Sequence, residues 1–161
     1  MSPQPQTNPF VEQVLASKEF FERSTRVLEE ADSNYRPQPG MMTVAQQVAH
    51  TAQTIDWFIE GIARPEGFDL DFAKHAAALE SATSISAARQ SLEAAYSNAV
   101  TYLSSKTAED MAAPLPPGPI MGGMPVAAAI GGMVEHTAHH RGALTVYSRM
   151  LGKTPIMPYG E

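Results

Sequence analysis

The chain has 161 residues, of which 43% are hydrophobic and 17% charged, and its formal net charge is −6. This length and composition suit one globular domain, which we expect to span residues 1–161. An acidic chain without a run of basic residues does not favour a surface for nucleic acid or for an anionic membrane. The absence of cysteine excludes disulfides, thiolate ligands and a cysteine nucleophile.

The composition also bears on location. No apolar run approaches the roughly 20 residues that cross a bilayer, and residues 1–10 lack the basic and apolar segments of a signal peptide. The lack of cysteine is compatible with a reducing compartment. We therefore expect a cytoplasmic protein without a membrane-spanning segment, in which residues 1–6 form a loose tail.

The first two helices are predicted from their start signals. A polar residue followed by proline starts the first helix at residues 7–9, and apolar residues at helical spacing extend it over about 22 residues to near Ala31. A loop rich in proline and glycine follows. Thr43 and Gln46 have the spacing of a capping box, which starts the second helix.

The middle of the chain gives a weaker pattern and then a clear one. Residues 71–81 could form a short helix, on which His75 lies among alanines and a lysine and is expected to be solvated. Ser84 or Ser86 then caps a third long helix, whose apolar spacing continues to near Ser105.

The last part of the chain contains a connector and a fourth long helix. Residues 106–124 hold several prolines and a Gly-Gly pair, which favours an extended connector over a lid. The fourth helix is predicted over residues 125–151, with Pro125 at its start and Gly152 just past its end. Residues 153–161 form an extended tail. Four long helices, one possible short helix and no alternating strand pattern predict an all-α, up-and-down four-helix bundle.

The candidate functional residues are histidines, three of which lie on the fourth helix. His136 and His140 are one turn apart on the same side, close enough to share a metal ion. His139 is turned about 100° from His136, and we expect it at the surface. His50 lies on the second helix, about 120° from the centre of the apolar stripe and beside Trp57. The pair His136 and His140 alone is weak evidence for a metal site, and a third ligand elsewhere would strengthen it.

Other residues near these histidines have competing interpretations. Arg141 could reach an anionic substrate, but a surface pair with Glu135 is slightly favoured. Tyr147 lies on the apolar stripe and is expected to be a core residue. Gly131 and Gly132 are interpreted as a close helix contact rather than a phosphate loop. No general base is identified.

Taken together, His50 ahead of Trp57, the segment EHTAHHRGAL at residues 135–144 and the tail LGKTPIMPYG resemble the DinB/YfiT-like family. The resemblance extends from about residue 10 to residue 160. It implies a four-helix bundle, commonly a homodimer, and a divalent metal held by three histidines. The residues of this chain that match those ligands are His50, His136 and His140. One departure is Ala143, where many relatives carry glutamine.

This resemblance also implies a range of functions. Three neutral imidazoles leave coordination positions open on zinc or nickel, as in catalytic rather than closed structural sites. Some members of the superfamily are transferases or isomerases that use a low-molecular-weight bacterial thiol with a small-molecule substrate. A metal-dependent hydrolase and a non-catalytic, stress-associated metal-binding bundle are the alternatives. Trp57 and Phe58 point in different directions, which adds a weak physical argument for a dimer.

Overall fold

The computed structural model describes residues 8–160, so the predicted loose tail at residues 1–6 and Glu161 lie outside the described residues. Within the described range the chain is helical, with no strand longer than an isolated bridge. This confirms the predicted all-α class. The helices are α1 (Pro9–Thr25), α2 (Val44–Ala63), α3 (Phe72–Leu79), α4 (Ile85–Ser104), α5 (Ala108–Ala112) and α6 (Val126–Met150).

The four long helices form a bundle around one apolar core. Each packs against two others, in the ring order α1, α4, α2, α6. The core is built from the apolar stripe of each helix, as the helical spacing predicts. Its largest fully buried side chains include Phe21, Ile55, Leu92, Tyr96, Ile130 and Leu144. None of the helices between residues 8 and 160 is long and apolar enough to cross a membrane.

Helix α1 ends at Thr25, earlier than the predicted end near Ala31. The guanidinium of Arg89 on α4 donates a hydrogen bond of 2.8 Å to the carbonyl of Thr25 and a longer one to the carbonyl of Leu28. The first of these bonds satisfies a carbonyl of the last helical turn, where intrahelical partners are missing, and the second holds the chain just beyond it. The chain then turns into a short 3-10 helix at Glu30–Asp32. Because Arg89 lies 64 residues after Thr25, no signal near Thr25 in the sequence indicated that the helix ends there.

The other boundaries agree with their sequence signals. The capping box of Thr43 and Gln46 starts α2, and the side chain of Ser84 caps α4. Asp71 caps α3, which confirms the short helix.

The proline-rich connector is more structured than predicted. It contains α5, which begins at a capping box formed by Thr107 and Asp110. The side chains of Met111 and Leu115 are buried in the core. An isolated bridge between Pro114 and Pro125 then leads the chain into α6. The segment is therefore packed against the bundle as a connector rather than lying loosely over its surface.

Two glycines, Gly132 and Gly61, permit close packing of aromatic rings against their helices. A Cβ atom at Gly132 would lie 3.2 Å from the ring of Phe58, which confirms the predicted close contact at that position. At Gly131 a Cβ atom would meet nothing within 4 Å, so the prediction is wrong there. A Cβ atom at Gly61 would lie 2.2 Å from the ring of Phe68. The absence of a side chain at Gly61 thus lets Phe68 fold back against α2.

Candidate metal centre

The structure brings together the three histidines that the sequence singled out. His50 lies in the first half of α2, and His136 and His140 lie one turn apart on the facing side of α6. Nε2 of His136 is 3.3 Å from Nε2 of His50 and 3.1 Å from Nε2 of His140. All three ligand atoms lie within 4.8 Å of one another. Three imidazole nitrogens converging on one point could hold a metal ion.

A chain of hydrogen bonds fixes the protonated nitrogen of His140. The hydroxyl of Tyr147 donates to the carbonyl of Met42 at 3.1 Å, so its oxygen accepts from Nε2 of Gln47 at 3.4 Å. Oε1 of Gln47 then faces Nδ1 of His140 at short range. Because this oxygen can only accept, Nδ1 carries the hydrogen and Nε2 presents its lone pair to the site.

The same logic applies to His50. Nε2 of Gln53 donates to the backbone carbonyl of His75 at 2.9 Å, which places Oε1 of Gln53 3.3 Å from Nδ1 of His50. That oxygen again accepts, so Nδ1 of His50 is the donor and Nε2 is free to bind a metal. Partners of this kind orient metal-binding imidazoles in known sites. The two glutamines were missed in the sequence, although both lie three residues from His50, a spacing at which helical side chains are neighbours.

The electrostatics of the site keep the three imidazoles neutral. Burial, together with the neighbouring imidazoles, lowers the pKa of His136 to about 4 and that of His140 to about 3. Burial also lowers the pKa of His50. A cationic imidazole cannot bind a metal, so lowered pKa values leave lone pairs available at neutral pH. The donor set therefore fits a divalent ion of borderline softness.

His139 and Tyr147 lie where the sequence predicted them. His139 is exposed, and its ring centroid lies 5.0 Å from that of His140 and 6.3 Å from that of His136. Tyr147 is buried, as expected for a core residue.

The predicted surface pair of Arg141 with Glu135 is wrong. The guanidinium of Arg141 donates to the hydroxyl of Tyr159 in the C-terminal tail at 3.1 Å and lies over the rings of Tyr159 and Phe20. Stacking on two aromatic rings suits the planar guanidinium, and the tail brings Tyr159 within reach.

A cavity of about 200 Å³ lies beside the three histidines. Two of them, His50 and His136, form part of its lining, so the cavity opens directly onto the site. The others that line this cavity, which we call the aromatic pocket, are Gln53, Thr54, Trp57, Phe58, Phe72 and His75. A small molecule in the aromatic pocket would therefore lie next to a bound ion.

His75 belongs to this pocket, and the prediction that it is simply solvated is wrong. Its side chain is 24% exposed, and its Nε2 lies 3.4 Å from Oδ2 of Asp69. That nitrogen is buried and has no hydrogen-bond partner. The apolar residues of α3 are mostly alanines, which do not mark one face for burial, so no local pattern indicated that His75 faces inward. The cause is the hydrogen bond from Gln53, which holds the backbone of His75 against α2.

The comparisons with known proteins agree with this architecture. The sequence model of the DinB superfamily matches residues 17–144, which is most of the chain, so this protein belongs to the DinB superfamily. The chain is also similar to a solved structure, a conserved protein from Enterococcus faecalis, with a TM-score of 0.66 and 18% identity. The likeness covers 94% of this chain and 100% of that one, and at this identity it shows the fold alone. No protein of curated function matches the chain.

Proposed function

We propose that this member of the DinB superfamily is a cytoplasmic metal-dependent enzyme that transfers a group to or from a low-molecular-weight thiol. The observation that carries the proposal is the convergence of three imidazole nitrogens at the edge of a small cavity. A purely structural site would be closed by a fourth protein ligand. The thiol rests on the resemblance to the family, because nothing in the described residues selects the co-substrate.

Each side chain of the site has a defined task in this proposal. His50, His136 and His140 bind the ion, zinc or nickel, through Nε2. Gln47 and Gln53 hold two of these rings in the tautomer that binding requires. A divalent ion on three neutral ligands would keep its full charge and open positions, and would lower the pKa of a thiol or water that it binds.

The proposal is tested by turnover of small electrophilic substrates by untagged protein loaded with zinc or nickel. We expect product only when a low-molecular-weight thiol is present, and none with the His50→Ala variant. Turnover that needs the metal but no thiol would contradict the transferase proposal and identify a hydrolase. If metal removal lowers stability but no substrate is turned over under either condition, the site is a non-catalytic metal-binding centre.

A homodimer is also proposed, on the family resemblance. The physical argument from Trp57 is weaker than the sequence suggested, because Phe68 covers its ring within the same chain at a centroid distance of 4.6 Å. Sedimentation at micromolar concentration tests the proposal, and a monomer would contradict it.

A further inference from the structure

The lining of the aromatic pocket indicates what kind of molecule it takes. Its lining includes three aromatic rings, those of Trp57, Phe58 and Phe72. Among residues 8–160, no Asp, Glu, Lys or Arg side chain lines the cavity. The amide of Gln53 is already paired with His50 and His75 on both sides. Away from the three histidines, the pocket therefore offers mainly flat apolar surfaces and no carboxylate or basic chain, and its remaining polar side chains are those of Thr54 and His75.

The rings of Trp57 and Phe58 are held in place before any ligand arrives. Nε1 of Trp57 donates a hydrogen bond of 2.7 Å to the carbonyl of Asp69. The indole ring also packs against Phe58 and Phe68, with centroids 5.1 Å and 4.6 Å away. An aromatic ring that is already ordered loses little conformational freedom when a ligand packs on it, and this favours binding.

The size of the pocket limits its occupant. Its volume of about 200 Å³ is below the roughly 300–1,000 Å³ typical of sites for drug-sized ligands. A single ring or a short conjugated chain suits this space. The side of the cavity formed by His50 and His136 leaves the reacting end of such a molecule beside the ion.

We propose that the aromatic pocket is the substrate site and that it selects a small molecule with one flat, uncharged aromatic or conjugated group. The flat group packs against the rings of Trp57 and Phe72, whose planes are inclined by 50° with their centroids 6.4 Å apart, and the reactive end reaches the three histidines. This inference rests on the proposed function, since it places the substrate against the same ion. It adds the class of substrate, which neither the family nor the three histidines specifies.

The test compares two metal-binding probes with the same head group, benzohydroxamate and acetohydroxamate, on zinc-loaded protein. Trp57 is the single tryptophan of the chain, so its fluorescence reports binding, with calorimetry as a second readout. We expect the ring to tighten binding on the order of tenfold, as stacking on aromatic walls would. The Phe72→Ala variant should lose most of this preference. Leu70→Ala is the matched control, because Leu70 is a similarly exposed neighbour that does not line the pocket.

Each result decides the inference separately from the proposed function. Equal affinities for the two hydroxamates on protein that has bound zinc would overturn the substrate class while leaving the metal site intact. Loss of the ring preference in Leu70→Ala but not in Phe72→Ala would also overturn it. If the chain binds neither zinc nor nickel, the proposed function fails, and metal-free protein is titrated with benzamide and acetamide. A change in Trp57 emission with benzamide alone would then support the pocket, and no change would overturn it.

Discussion

The floor of the site and its wall differ in how they are packed. The floor, formed by His140, Gln47 and Tyr147 between α2 and α6, is buried, with exposed fractions of 6%, 8% and 2%. The wall, residues 64–79, contains α3, in which Leu79 alone is buried. The bundle core thus holds His140 and its hydrogen-bond partners, whereas little of the wall reaches that core.

What holds the wall is a row of three side chains on one side of α2. Gln46, Gln53 and Trp57 donate hydrogen bonds to the backbone carbonyls of Leu79, His75 and Asp69, at 3.3, 2.9 and 2.7 Å. Because these bonds end on backbone atoms, they do not depend on the side chains that the wall carries. The comparison indicates that the wall can change its side chains, and so the pocket, without moving the three histidines.

The largest effect on the stability of the folded protein is expected from metal binding, which involves His140 in the floor. Zinc at about 100 times its dissociation constant should stabilise the folded protein by roughly 2.7 kcal/mol. For a chain of this size that corresponds to a rise in Tm of roughly 5–11 °C. Thermal unfolding with zinc, and again after chelation, checks this prediction. An unchanged Tm at saturating zinc would argue against any binding to the folded state.

The Gln47→Leu variant is expected to lower both the stability of the floor and the affinity for metal. The variant removes the acceptor for Nδ1 of His140, and leaving a buried donor unpaired costs about 1–3 kcal/mol. Metal affinity should fall by about 10- to 100-fold, because the ring is no longer held in the tautomer that binds. Urea unfolding and a metal titration measure the two effects. Wild-type metal affinity in a folded Gln47→Leu protein would show that this hydrogen bond does not orient the ligand.

The lowered pKa values of His136 and His140 also predict how the stability of metal-free protein depends on pH. Burial lowers the pKa of His136 to about 4 and that of His140 to about 3, below the value of about 6.5 in the unfolded chain. The unfolded chain therefore takes up protons first. The stabilisation is complete above about pH 6.5 and is lost as the pH falls through that value toward the folded pKa values.

Urea unfolding of metal-free protein at about pH 7, 6 and 5 checks this dependence. The His140→Gln variant is the control, since it removes one of the titrating groups and should lose less stability over the same range. The same loss in the variant as in the wild type would show that His140 does not contribute.

The smallest effect on stability is expected from Gln53→Leu, which releases the wall and also removes the acceptor for Nδ1 of His50. Gln53 is only half-buried, so its loss should cost less stability than the loss of Gln47. Hydrogen exchange in α3 should become faster, because the bond to the carbonyl of His75 is gone. Gln47→Leu is the matched comparison and should leave exchange in α3 unchanged. Faster exchange in α3 for both variants would show that floor and wall are not independent.

Much of the fold could be predicted because its signals are local. The capping box at Thr43 and the N-cap at Ser84 lie next to the helices that they start, and helical spacing identified the core. The pair His136 and His140 followed from the same spacing. His50 lies off the apolar stripe of α2, and the family resemblance, rather than the pattern, supplied it as the third ligand.

What the sequence did not reveal depends on partners far along the chain. Helix α1 ends where Arg89 on α4 reaches its carbonyls, and Arg141 binds Tyr159 in the tail instead of a neighbour on its own helix. His75 turns inward because Gln53 holds its backbone. Such contacts form only in the tertiary structure, and neither helical spacing nor a capping residue indicates them in the sequence.

The most direct test of the account is the metal content of untagged protein after incubation with zinc or nickel. The variants His50→Ala, His140→Ala and His139→Ala are measured beside it. We predict about one ion per chain in the wild type and in His139→Ala, and none in the other two, because three converging imidazoles make the site. No bound ion in the wild type, or full retention in His50→Ala and His140→Ala, would contradict the three-histidine centre.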